Sequence, residues 1–263
     1  MLTYKNRSGL FVRRKLLRNI AGEIKTFLQQ HKNTQIIIVH GAGQPGHSIA
    51  QKYRLASGVR NNRDKIYGSL LCNAAIEKLD EEMIAIFLKA GLNVCTVDAL
   101  SVITQKNKKM HTFDTTAIKN ALAHHTIPIL HGQMVFDNTE TLSICSGDTI
   151  ATYLADHFSA KKLLFASDVD GVLTKDPFVF PHAKLITKIA TRDILHSRQT
   201  TLSKSHNTDV TDGLLGKIRS LDHLLTKNSV KEVVIFNGLK KERFGLALTD
   251  KKFPCTKITL RDK

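Results

Sequence analysis

The run His40-Gly41-Ala42-Gly43-Gln44-Pro45-Gly46-His47 combines residue types and spacing suited to chemistry. Closely spaced glycines let a backbone approach a ligand, and amides left free where a helix starts attract phosphate. A β-branched apolar stretch at 36–39 precedes the run and a helix-like stretch at 48–53 comes after it, so the run is a strand–loop–helix junction. Its spacing fits neither a P-loop nor a dinucleotide fingerprint, and a tight structural turn is the competing reading. Three other corners have related composition. Ser146-Gly147-Asp148-Thr149 follows a strand and opens a helix, with Ser146 or Asp148 as its cap. Ser167-Asp168-Val169-Asp170-Gly171 follows another strand, and 208–217, which contains Asp209, Asp212, Gly213 and Lys217, ends a polar stretch and begins a helix. Ligands at open α/β sheets collect beyond the carboxyl ends of strands, so these corners point to a phosphate-handling cleft.

The elements that must position them alternate. Strand-like runs fall at 35–39, 93–97, 127–130, 162–167 and 232–236, and helix-like stretches at 13–30, 65–89, 114–124, 149–158 and 213–227. Leu214, Ile218, Leu221 and Leu225 recur at helical spacing in the last of these, and Ile66, Leu70, Ile76, Leu79, Met83 and Ile86 read as a core stripe on the second. Such alternation predicts an α/β fold with a largely parallel sheet covered on both faces. Segments 134–136 and 142–145 read as an inserted hairpin, and 197–209 as a loop. No composition break separates independent domains within 1–263.

Composition excludes some classes. The 263 residues carry a formal charge of +16, but the basic clusters lie in separate segments without zinc-finger spacing or an aromatic RNA-binding strand. The expected reading is therefore a solvated basic surface rather than a specific nucleic-acid site, and the positive potential still helps to draw in polyanionic substrates. No apolar run is long enough to span a bilayer, and the opening residues turn charged before an apolar segment develops, so neither a membrane span nor a signal peptide is expected. Cys72, Cys95, Cys145 and Cys255 form no CxxC pair and read as buried thiols in a reducing, cytoplasmic setting.

Taken in order, 40–47, Phe113-Asp114-Thr115-Thr116, Pro128-Ile129-Leu130-His131-Gly132, Ser146-Gly147-Asp148, 167–172, Thr208-Asp209-Val210-Thr211 and Phe236-Asn237-Gly238 resemble the isopentenyl phosphate kinases of the amino acid kinase superfamily. His47 points to that branch. The resemblance implies a three-layer α/β/α sandwich in one domain, with an acceptor lobe over about 1–160 and a nucleotide lobe over about 161–263. It implies ATP with Mg2+ as phosphoryl donor, an alkyl monophosphate as acceptor, and a homodimer. By the same resemblance His47, Ala42, Gly46 and Gly147 hold the acceptor phosphate, while Gly43, Asp168, Gly213 and Lys217 serve the nucleotide. Lys5 neutralises the transferring group, Asp148 orients active-site lysines, and Tyr67 or Leu70 touches the prenyl tail.

The sequence also departs from the family. The family opens on a strand ending in Lys-x-Gly-Gly-Ser; residues 1–5 match the segment directly after that motif, so the sheet of this chain is expected to lack the first strand. Ala42 and Asp212 replace glycines, and Gln133 stands where an aspartate commonly succeeds His-Gly. Two alternatives remain: a kinase of the same fold acting on a phosphonate, as fosfomycin kinase-like enzymes do, or a phosphate-binding relative with impaired turnover.

Overall fold

Helix α3 (Arg63–Lys89) organises the first half of the chain. Asn62 caps it by accepting a hydrogen bond from the Lys65 amide, Asp64 and Lys89 suit the two ends of its dipole, and Cys72, Ile76, Leu79, Met83 and Phe87 form its buried stripe. Leu70 and Tyr67 do not join that stripe; they are 50% and 59% exposed. Asn73 fixes the helix to a strand two ways, donating to Met134 O at 2.9 Å and accepting from Met134 N at 2.9 Å.

The computed structural model describes residues 1–6, 9–175, 180, 182–190, 221, 230 and 232–259. The loop expected at 197–209 and all but Leu221 of the helix expected at 213–227 lie outside the described residues, as do Asp209, Asp212, Gly213 and Lys217. The chain divides into one unit of Leu2–Ile150 and another of Met1 with Ala151–Lys263.

In the Leu2–Ile150 unit, three parallel strands β3 (Ile38–His40), β7 (Ile127–His131) and β4 (Val94–Thr96) lie in the order β3-β7-β4. A second sheet runs β6 (Lys109–Phe113), β5 (Ile103–Lys106), β8 (Gln133–Asp137), β9 (Thr141–Cys145), and its β8–β9 pair is the hairpin read from the sequence. Strands β1 (Thr3–Asn6) and β2 (Gly9–Val12) form a separate hairpin, and α1 (Arg14–Gln30) comes next. Helix α2 spans Gly43–Lys52. It therefore begins well before Ser48, where the spacing of the sequence predicts its start, because Pro45 falls in a first turn, where its missing N–H costs nothing. Ala50, Leu55, Cys72, Ile76, Met134 and Leu142 close the core between α2, α3 and the hairpin.

In the other unit the sheet order is β10 (Lys162–Ser167), β12 (Glu232–Asn237), β13 (Cys255–Thr259), β11 (Lys188–Ala190). Strands β10 and β12 are parallel, whereas β13 runs antiparallel to β12. Val172, Leu163, Phe165, Val233, Ile235 and Ile258 form its core. The four cysteines are free; Cys72, Cys145 and Cys255 are buried and Cys95 is half-buried. Burial pushes the Cys72 thiol up to about 11 and the Cys145 thiol up to about 12, which leaves both unreactive at neutral pH. Among the described residues no helix is long and apolar enough to cross a membrane.

Candidate functional site

Strands β3 and β7 end level with each other, His40 opposite His131. The chain beyond each is a glycine, and a third glycine arrives from the end of β9. Gly132 N donates to His40 O at 3.0 Å. A Cβ on Gly132 would lie 2.4 Å from Gly147 N, and one on Gly147 would lie 2.9 Å from His40 O. The three corners thus touch backbone to backbone, and no other residue type fits at either glycine without displacing main chain. Helix α6 (Gly147–His157) starts here, and Ser146 is its cap, accepting from Thr149 N at 3.1 Å. Asp148 lies in its first turn rather than at the cap.

At the head of α2, Ala42 is right-handed (φ −58°, ψ −16°) and Gly43 left-handed (φ +64°). Successive residues of opposite hand turn their amides to one side and form a concavity for an anion. Thr3 Oγ1 occupies the Gln44 amide at 3.0 Å, and Gly46 N reaches back to Ala42 O at 3.4 Å. The loop amides that remain without an acceptor among the described residues are those of Gly41, Ala42 and Gly43, the last two being the pair at the right-handed/left-handed turn. The Gly46 amide, expected to cradle phosphate, is thus already directed at a carbonyl; a Cβ there would lie 2.7 Å from the Ala42 Cβ and 3.0 Å from Ile76 Cγ1, so Gly46 serves close packing of α2 on α3. His47 sits in the first turns of α2 and is half-buried. Lys5 is a β1 residue opposite Leu10, and only its backbone is described.

Beneath the loop lies a polar cluster that motif spacing does not single out. His40 Nε2 is 3.1 Å from Asp80 Oδ1, and Asp80 Oδ2 accepts from Thr96 Oγ1 at 2.6 Å. His40 Nδ1 donates to Gly41 O at 3.0 Å. Burial pushes the Asp80 carboxyl up, but the hydrogen bonds from His40 and Thr96 and the His40 charge outweigh it and hold the carboxyl below the usual range. Asp80 is therefore ionised at neutral pH. Both His40 nitrogens thus face oxygen atoms, one of the main chain and one of a carboxylate. The His131 ring lies 5.2 Å away, and burial, with the His40 charge added, pushes it down to about 4, so His131 is neutral. Its Nδ1 is buried with no partner among the described residues. Asp98 accepts from Gln133 Nε2 at 2.5 Å and Ser101 Oγ at 2.6 Å; burial pushes its carboxyl up, and these bonds bring it below the usual range. Gln133, in the place of the family's aspartate, is thus a partner of Asp98. Glu77, Asp80, Glu81, Thr96, Asp98 and His131 line a groove of about 610 Å³ in this unit. The available signal was the repeated His-Gly pair closing two strands.

In the Met1 and Ala151–Lys263 unit, β10 and β12 also end level, Ser167 opposite Asn237. Gly238 N donates to Ser167 O at 2.8 Å, and Asn237 Nδ2 to Asp168 O at 3.1 Å. Lys240 Nζ pairs with both Asp170 oxygens at 2.9 Å. Gly171 has φ +155°, and a Cβ there would meet Thr256 Oγ1 at 2.4 Å. These bonds fix the turn and leave Asp168 exposed on it. Among the described residues no group of three or more His, Cys, Asp or Glu side chains is arranged to hold a metal ion.

Comparison with known proteins agrees with the geometry. The amino acid kinase family profile matches residues 3–237. The isopentenyl phosphate kinase of Methanocaldococcus jannaschii is 32% identical over 88% of this chain and 85% of its own length. That of Methanothermobacter thermautotrophicus is 29% identical over 98% of this chain and 96% of its own. A solved isopentenyl phosphate kinase superposes with a TM-score of 0.81 at 26% identity, covering 98% of this chain and 96% of that one. The chain belongs to the amino acid kinase family, in its isopentenyl phosphate kinase branch.

Proposed function

We propose that this chain is a phosphotransferase that moves the γ-phosphoryl group of ATP to isopentenyl phosphate, giving isopentenyl diphosphate and ADP. The observation that carries the reading is the pair of open amides, Ala42 and Gly43, at the head of α2, in a loop locked to Gly132 and Gly147 through His40. Phosphoryl transfer asks a protein for positioning and charge stabilisation more than for covalent chemistry, and such a nest supplies the first. Relatives of similar length named isopentenyl phosphate kinase support the acceptor.

In this reading His47 donates to the acceptor phosphate, Gly147 lets that phosphate approach the backbone, and Lys5 and Lys217 neutralise charge. Asp148 orients lysine side chains, and Gly213 and Asp168 serve the nucleotide. Mg2+ would be held mainly by the ATP phosphates and water, with the exposed Asp168 as a carboxylate ligand, and would offset phosphate charge. The exposed Tyr67 and Leu70 are apolar surface suited to a prenyl tail. The working form is a cytoplasmic homodimer with no nucleic-acid or membrane partner.

The test is ADP release in the presence of isopentenyl phosphate, alkyl phosphonates and no acceptor. Release that depends on isopentenyl phosphate, and that falls about 10²–10³-fold in His47→Ala as for loss of one positioned donor, is the expected result. ADP release indifferent to acceptor overturns the reading.

A further inference from the structure

We infer that His40 is a positioning residue for the acceptor phosphate, because its ring holds the Gly41 carbonyl and so turns the Ala42 and Gly43 amides toward the anion. The inference rests on the proposal that this loop binds a phosphate.

The geometry is specific. His40 Nδ1 lies 3.0 Å from Gly41 O, and that oxygen can only accept. In a planar trans peptide the C=O and the following N–H point in opposite directions. With the Gly41 carbonyl drawn back onto the imidazole, the Ala42 N–H points away from the ring, on the side where the left-handed Gly43 adds its own N–H. The ring is itself held. Asp80, from α3, takes Nε2 at 3.1 Å, and Thr96, at the end of β4, takes the second oxygen of Asp80 at 2.6 Å. His131 from β7 stacks at a tilt of 40° with its centroid 5.2 Å away, and Asp98 lies beyond His131 as the other carboxylate whose charge it feels. The His40 and Asp80 side chains are 3% and 6% exposed, so water does not compete for the ring. The main chain of His40 also carries Gly132 on its carbonyl. One residue therefore sets both the direction of the nest and its attachment to the neighbouring corners.

Two substitutions separate the ring's two bonds. Asn places an amide near the position of Nδ1, and Gln places one near Nε2. Each is made together with Asp80→Asn, so that no buried carboxylate is left alone, and the Asp80→Asn protein is the reference. Inorganic phosphate is titrated into each while the Ala42 and Gly43 amide signals are tracked by 1H–15N NMR, and the KM values for isopentenyl phosphate and for ATP are measured separately. The expected result is a midpoint for inorganic phosphate within about threefold of the reference for His40→Asn, and about tenfold higher for His40→Gln, the tenfold standing for about 1.4 kcal/mol. KM for isopentenyl phosphate keeps the same order and KM for ATP does not. Equal midpoints in the two variants, or amide signals that ignore phosphate in the unsubstituted chain, overturn the inference. If the amides respond as expected while isopentenyl phosphate gives no ADP, the positioning role stands and the choice of acceptor fails. Thermal unfolding of each variant keeps a folding defect from passing as a loss of phosphate.

Discussion

Replacing Gly132 with alanine tests whether the contact of glycine corners carries the site. The new methyl group would stand 2.4 Å from Gly147 N, 3.1 Å from Ser146 C and 3.2 Å from Cys145 O, while ordinary contact begins at 3.4 Å. All three atoms are main chain, so no side chain can rotate away, and the β9–α6 corner must move by about 1 Å or more to restore an ordinary contact. Overpacking of this kind costs about 1–3 kcal/mol. A shift of 1 Å at a positioned group can cost about 10²-fold in rate. Gly132→Ala is therefore expected to lower kcat/KM for isopentenyl phosphate about 10²-fold in a coupled ADP assay and to lose about 1–3 kcal/mol in urea unfolding. Gly22→Ala is the control: it is an exposed position in α1 with nothing within 4 Å, and there the same chemical change should stabilise by about 0.5–1 kcal/mol. A Gly132→Ala enzyme with unaltered stability and kcat/KM would refute the idea that backbone contact holds the corners in place.

His131 is held neutral down to about 4, whereas an unfolded histidine gains its proton near pH 6.5. Its contribution is complete above about pH 6.5 and is lost as pH falls toward about 4, so His131→Gln should remove up to about 3 kcal/mol of the acid sensitivity seen between urea melts at pH 7.5 and 4.5. Asp137 accepts from the amides of Asn107, Lys108, Thr139 and Glu140 and from Ser143 Oγ; burial pushes its carboxyl up, but these bonds outweigh it and hold it well below the carboxylate range. Its stabilisation is present above about pH 4 and lost below, so Asp137→Asn should cost about 2–3 kcal/mol at pH 7 and flatten unfolding curves recorded below pH 4. Thr256 Oγ1 is buried between Val172 N at 2.7 Å and Ile186 O at 2.6 Å. Thr256→Val strands both and should lower stability by about 2–3 kcal/mol in chemical denaturation.

Helical spacing in the sequence located α3 to within two residues at its start, because its core stripe recurs every three or four positions. Two short apolar runs separated by the polar stretch 137–141 located the β8–β9 hairpin. The start of α2 was not legible. Pro45 and Gly46 fall in the run read as a glycine loop, yet proline fits a first turn and Gly46 is required by the approach of Ile76. The glycine corners could be read from strand ends, since their chemistry is local. The His40–Asp80 pair could not, because it joins residues 40 positions apart and depends on how α3 lies against β3. Leu70 belongs with the stripe by type, but its direction on α3 places it outside.

The hydroxyl of Thr3 reaches the Gln44 amide and lies 3.3 Å from where a Gly43 side chain would begin. An edge residue of the opening hairpin is therefore part of the wall of the anion nest. Whatever quiets the nest must quiet the hairpin, so deuterium uptake along β1 becomes a remote gauge of occupancy at a loop some forty residues further along the chain.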